Sequence, residues 1–426
     1  MSVLEKIVIL HVPNTFNYGS AMMGINFIHY FSSMTDIDVE FICDASTEED
    51  IKRMVEETLN KRVIKKLKMT ELSTEGSTKL QKIINLRRSI LDQVNDILSL
   101  HPICVIVLGG DDLSEYYMGR YIVIELYKLY KLSKKTTVFL VGQSIGPFYS
   151  WREKIARFCL KNCQIYSRDP ISTKYLRESL KFKKVFESSD LAFLDLPKQN
   201  DIKSTDLLDK YDINREEYIS IVPSGSVKLY TIDHTSYVKS WIDIVKFLAE
   251  SPDFRDKKIV LLPHVLAPPP VDDRNIIEEI ENRLSDKYNN IIYIKDDLFP
   301  SGARTILANG IFTITGRMHA AISTFQMLKP AISLSYGIKY MGVIGGRLGM
   351  SDLIIKADNS SLWNTGKIVE LVKNKVEYVI QSYDSLNERI ALALEENKRL
   401  AIAQIEDIAE KIRRVENEAF NRYHQK

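Results

Sequence analysis

The sequence predicts two doubly wound, parallel-sheet α/β domains, and three observations predict it. Short, almost wholly apolar runs such as Cys104–Leu108 and Tyr218–Val222 alternate with helical patterns, as strands buried on both faces do. Many of these runs end in a glycine or proline turn that opens a helix. The theme stops in a polar stretch and then restarts, and 426 residues exceed the usual size of a single core.

In the first half, strands are expected at 7–12, Cys104–Leu108, 137–141, Gln164–Ser167 and 185–188, with a helix at 20–31. Residues 1–195 therefore form the first Rossmann-like domain. Residues 196–215, which open Leu196-Pro197-Lys198-Gln199-Asn200-Asp201, read as a linker. Strands at 218–223, 258–262, 291–294, 311–315 and 331–334 build the second domain, 216–385. Residues 386–426 form a long terminal helix. Its stripe Ile405, Ile408, Ile412 and Val415 is expected to pack back on the first domain, a dimer contact being the alternative. Two such domains facing a cleft is the GT-B arrangement, with ligands at the carboxyl ends of the strands.

Composition bounds the function. The apolar fraction of 45% and charged fraction of 27% are ordinary for a soluble domain. No apolar run approaches the roughly 20 residues that span a bilayer. Met1 to Lys6 leads straight into a strand and does not read as a signal peptide, so a cytoplasmic protein is expected. Cys43, Cys104, Cys159 and Cys163 lack metal-ligand spacing and read as reduced thiols, so no metal site is expected. Residues 51–90 hold 11 Lys or Arg against 4 Asp or Glu. They read as a basic helix pair, solvated, or else resting on anionic lipid at the inner face of the membrane or meeting a phosphorylated acceptor. Without stacking aromatics, nucleic acid is not the partner.

The richest stretch is Gly310-Ile-Phe-Thr-Ile-Thr-Gly-Arg-Met-His-Ala, where a β-branched strand breaks at Gly316 and a helix spans 318–328. Arg317 and His319 then sit in the first turn of a helix, where free N–H groups and the helix dipole favour an anion. The histidine can exchange a proton near neutral pH. Ser335 and Lys339 follow the next strand, and Lys339 can add a second positive charge. In the first half, Arg168 is placed for an anion clamp or for an ion pair with Asp169 or Asp190. Gln143 and Ser144 edge a glycine-proline turn. Asp111 and Asp112 suit sugar hydroxyls or helix capping, and Asn17 and Tyr18 an acceptor contact or an N-cap. His264 reads as a core or supporting histidine.

Together, Asn17-Tyr18-Gly19, Gly109-Gly110, Gly142-Gln143-Ser144-Ile145-Gly146-Pro147-Phe148, Arg168-Asp169 with Ser172, Asp190-Leu191-Ala192, Gly316-Arg317-Met318-His319-Ala320 and Ser335-Tyr336-Gly337-Ile338-Lys339 resemble the polysaccharide pyruvyl transferase family, over roughly residues 10–345. The chain departs from the family pattern at Ser20, at Asp111-Asp112 and at Gly337. The resemblance implies a GT-B fold and transfer of pyruvate from phosphoenolpyruvate onto a sugar of a cell-surface polysaccharide, or its lipid-linked precursor, as a cyclic ketal. It implies that Arg168, Arg317 and His319 are donor-site and catalytic residues, and the scheme needs no metal or other cofactor. Two alternatives stand beside it: a GT-B glycosyltransferase using a nucleotide sugar, and a non-catalytic sugar- or phosphate-binding relative.

Overall fold

The computed structural model describes residues 4–59, 63–199 and 203–424. Two compact units are present. The first comprises Met1–Thr15, Met23–Leu191 and Arg399–Lys426; the second comprises Phe16–Met22 and Ala192–Lys398.

The first unit holds a parallel sheet of strands β1 (Glu5–Leu10), β2 (Val39–Cys43), β3 (Val63–Lys66), β4 (Cys104–Leu108), β5 (Thr137–Gln143), β6 (Gln164–Ser167) and β7 (Val185–Glu187). The order is β3-β2-β1-β4-β5-β6-β7. Val8, Val105, Val107, Val138, Leu140 and Ile165 meet Leu113, Leu126, Leu129, Leu160 and Leu176 in its core. The order reverses between β1 and β4, and a doubly wound sheet opens its ligand crevice at such a reversal. His11 follows β1 and Gly109-Gly110-Asp111-Asp112 follows β4 at that point.

In the second unit, β8 (Tyr218–Val222), β9 (Lys258–Leu261), β10 (Ile291–Tyr293), β11 (Thr313–Thr315), β12 (Ala331–Ser335) and β13 (Ile354–Lys356) form a parallel sheet. Its order is β10-β9-β8-β11-β12-β13. The reversal lies between β8 and β11, which pair Ser220 with Thr313 and Val222 with Thr315. The Arg317–His319 turn follows β11 and therefore stands at the second reversal.

The structure corrects several boundaries. Residues 196–215 are not a bare linker: a helix, Lys203–Lys210, forms there and buries Leu208. Residues 200–202 of that stretch lie outside the described residues. Arg304 is fully buried and donates to the carbonyls of Ala192 (2.6 Å) and Leu194 (2.8 Å), and the long segment of the second unit already starts at Ala192, before the expected linker. In the basic segment 51–90 the expected helix pair is split by β3 between helices Glu48–Thr58 and Lys79–Ser99.

The terminal helix runs Tyr383–His424. Ile405, Ile408 and Ile412 are buried, and this part is grouped with the first unit from Arg399 onward. Gln404 Nε2 there donates to the Ser189 carbonyl at 2.8 Å. The side chain of Val415, which ends the expected stripe, lies outside the described residues. No helix among the described residues is long and apolar enough to cross a membrane.

Candidate functional site

In the second unit, β11 delivers Arg317 to the N-cap of the helix Met318–Gln326, and no side chain caps that helix. Asp273 Oδ1 accepts from Arg317 Nε (3.0 Å) and Nη2 (2.7 Å). Nη2 also donates to the Val271 carbonyl (2.7 Å), and Nη1 to Ser226 Oγ (3.1 Å). A guanidinium has five N–H donors. These four bonds fix its plane and leave one Nη1–H without a partner among the described residues. Burial works against the charge of Arg317, but Asp273 outweighs it and holds the group firmly protonated.

Asp273 is itself fully buried and bound from both sides. It accepts from the backbone N–H of Gly225 (2.7 Å), His264 (2.9 Å) and Val265 (2.9 Å). A buried carboxylate survives only when so satisfied. One side chain thus ties the turns after β8 and β9 to the arginine after β11.

An aromatic cluster backs the turn. Tyr230 and Tyr340 hydroxyls donate to the Gly316 carbonyl at 2.6 and 2.7 Å. Tyr336 packs edge-on against both rings at 5.3 Å. A Cβ on Gly316 would come within 2.9 Å of Ser224 Cβ and the Tyr230 hydroxyl, so only glycine fits. Lys339 lies over the Tyr336 ring at 5.0 Å, and Ser335 is buried at the end of β12.

His319 is half-buried, and Gly19 lies directly against its imidazole. Asn17 and Tyr18, expected on the acceptor side of the first domain, belong instead to the second unit. The reason is backbone pairing. Asn17 bridges Val265, Tyr18 N–H donates to the His264 carbonyl (3.1 Å), and Leu266 N–H to that of Phe16 (2.9 Å). The Tyr18 hydroxyl donates to Asp297 (2.9 Å) and accepts from Leu298 N–H (2.9 Å). Its ring meets His264 edge-on at 5.4 Å. His264 is buried, and burial, with the positive fields of His319, Arg317 and Arg304, drives its pKa well below the usual histidine value.

In the first unit, Arg168 is completely buried and forms an ion pair with Asp190 at 2.6 Å, while its Nε donates to Ser144 Oγ at 2.9 Å. Ser144 donates in turn to Asp169 (2.7 Å), which caps the helix Pro170–Glu178 by accepting from Ser172 N–H (2.8 Å). Gln143 is also fully buried. Its amide donates to the carbonyls of Val107 (3.1 Å) and Leu108 (2.7 Å), so it joins strand ends rather than facing an acceptor. Asp111 and Asp112 remain partly exposed.

Nothing in the local sequence marks His11. It stands at φ 71°, with its backbone N–H on Asp44 (2.7 Å). Its ring lies between Asp112 (3.5 Å) and Glu125 (3.2 Å), and Lys128 pairs with Glu125 at 2.7 Å. Burial disfavours the imidazolium, but the two carboxylates prevail and raise its pKa to about 10. Asp273 is likewise unmarked in the local sequence. Among the described residues, no group of three or more His, Cys, Asp or Glu is arranged to hold a metal ion.

Comparisons with known proteins agree with this architecture. The chain is 23% identical to the amylovoran biosynthesis protein AmsJ of Erwinia amylovora over 366 residues, 83% of this chain and 82% of that one. Among solved structures, the UDP-GlcNAc 2-epimerase of Neisseria meningitidis bound to UDP-GlcNAc superposes with a TM-score of 0.60 at 12% identity, covering 96% of this chain and 100% of that one. The trehalose-6-phosphate phosphatase N-terminal domain of Candida albicans gives 0.55 at 9% identity, covering 96% and 97%. These two likenesses show the GT-B-like fold alone. The polysaccharide pyruvyl transferase family model matches residues 17–338, three-quarters of the sequence and both reversal-point turns of the second sheet, and the chain belongs to that family.

Proposed function

We propose that the protein transfers pyruvate from phosphoenolpyruvate to two hydroxyls of a saccharide, forming a cyclic ketal and releasing phosphate. The observation that carries this reading is Arg317, held by Asp273 with one N–H to spare, beside His319 at an uncapped helix start. That is a cationic, N–H-rich place for a small dianion, with a proton donor next to it. Protonated His319 gives its proton to the methylene carbon of the donor, and the neighbouring carbon gains oxocarbenium character. One sugar hydroxyl adds there and its proton restores His319; the second hydroxyl then displaces phosphate, which leaves carrying that hydroxyl's proton, and the ring closes. A positioned acid of this kind contributes about 10²–10⁴-fold.

Lys339 assists with the donor's charge, and Arg168 holds the Ser144 turn of the first unit. Asp111 and Asp112, partly exposed at the first sheet's reversal, are the proposed contacts to saccharide hydroxyls. A phosphoenolpyruvate donor places the work in the cytoplasm, where that metabolite is made.

The test separates donor binding from turnover. Phosphoenolpyruvate should raise the melting temperature, and nucleoside diphosphates should not. With nucleotide-linked and lipid-linked saccharides supplied as acceptors, phosphate release should fall at least 10²-fold in His319→Ala while the donor-induced shift persists. Stabilisation by UDP and not by phosphoenolpyruvate would replace this reading with a glycosyltransferase.

A further inference from the structure

The helix Lys79–Ser99 carries an apolar stripe broken at its middle by Arg87, and the protein covers only the C-terminal half of it. Ile97, Val94 and Ile90 are between 0% and 4% exposed. Continuing toward the N-terminus at helical spacing, Ile84, Ile83 and Leu80 are 50%, 56% and 67% exposed. The same face thus leaves the core and emerges as three adjacent aliphatic side chains. A loop lies along the helix flank, held by Ser73 N–H on Ser89 Oγ (3.1 Å) and Asn85 Nδ2 on the Glu75 carbonyl (2.8 Å), and adds exposed Leu72.

The charge around the stripe has one sign on the helix. Lys79, Lys82, Arg87 and Arg88 are all exposed, and no acidic residue lies between Gly76 and Leu91. Over residues 69–91 there are four basic residues against Glu71 and Glu75. Exposed aliphatic residues ringed by Lys and Arg on a helix match the interface of an anionic bilayer: the stripe enters the acyl boundary and the cations meet the headgroups. A second copy of the chain fits poorly, because self-contact across a twofold axis brings like charges together. Nucleic acid fits poorly, because the centre of the patch is aliphatic and offers no ring for a base.

We propose that this exposed half-helix docks the protein on an anionic lipid surface. The inference stands independently of the donor chemistry. Full-length protein is to be sedimented with vesicles of phosphatidylglycerol and phosphatidylcholine, and separately with phosphatidylcholine alone, at low and high salt. The protein should pellet with the anionic vesicles, less at high salt, and remain in solution with the neutral ones. Two variants, Leu80→Asn/Ile83→Asn/Ile84→Asn and Lys79→Glu/Lys82→Glu, should each lose about tenfold or more in vesicle partition with unchanged melting temperature. Three results overturn the proposal: no binding to anionic vesicles, equal binding to both vesicle types, or a wild-type dimer in sedimentation velocity that the triple variant turns into a monomer.

Discussion

Gly19 lies so close to His319 that a Cβ at residue 19 would overlap the imidazole Nδ1. The first turn of the chain's first helix therefore serves as a wall for the proposed acid, and glycine is there because the ring occupies the space of a side chain. Gly19→Ala should push the imidazole out of position. The expected outcome is a loss of roughly 10²-fold in turnover, because small misplacements of a reacting group are that costly. The melting temperature should change little, since a half-buried ring can swing aside. Phosphate-release kinetics with a melting curve check both halves.

Asp273 offers a sharper separation. Asp273→Ala removes the acceptor for Arg317, Gly225, His264 and Val265 together. An uncompensated buried arginine costs about 3–5 kcal/mol, measurable as a shift in urea midpoint. Asp273→Asn keeps an acceptor oxygen but loses the charge. It should fold better than the alanine variant and still bind phosphoenolpyruvate more weakly than wild type, because the guanidinium is no longer locked.

Stability should depend on pH at both histidines, in opposite directions. His11 has a folded pKa of about 10, set by Asp112 and Glu125 against burial, so folding takes up a proton there. Its contribution is complete below about pH 6.5 and is lost as pH rises toward 10. His264 is held neutral by burial and nearby positive charge, so the unfolded chain binds the proton first. Its contribution is present above about pH 6.5 and fades as pH falls. Urea unfolding from pH 5 to 10 should show decline on both sides. His11→Gln should flatten the alkaline limb only, and His264→Gln the acid limb only.

The Arg168–Asp190 pair is completely buried. Asp190→Asn should destabilise by about 3–5 kcal/mol, and the apolar double variant Arg168→Met/Asp190→Leu should recover most of that loss. Turnover of the double variant then decides between two roles for Arg168. Restored stability with restored phosphate release makes it a fold element, whereas restored stability without release makes its charge part of the chemistry.

Much of this fold was legible because buried parallel strands advertise themselves as apolar runs. Cys104–Leu108 and Gln164–Ser167 lie where the pattern puts them. Three strands were overlooked: β13 has three residues, Ile-Ile-Lys, β3 is half lysine, and β2, Val-Glu-Phe-Ile-Cys, has its apolar run broken by Glu40. The helix at Lys203–Lys210 was hidden by its polar face. At the site, Arg317 and His319 were visible because a strand, a glycine and a helix start adjoin in sequence. Their partners were not. Asp273 lies 44 residues from Arg317, and Glu125 lies 114 from His11. Nothing local marks an acid for a distant cation. Asn17 and Tyr18 were legible as a turn but not as part of the second unit, because long-range pairing with Val265 leaves no trace in composition.

The backbone passes from one unit to the other at residues 15/16, 22/23, 191/192 and 398/399, so neither unit is a continuous polypeptide. A gene fragment encoding 192–398 would produce the β8–β13 sheet stripped of the heptapeptide that covers His264 and abuts His319. Dissection by truncation is therefore the wrong tool here. Halves expressed alone should be inert even if soluble, and a synthetic peptide spanning Phe16–Met22, added back, is what such a half would need.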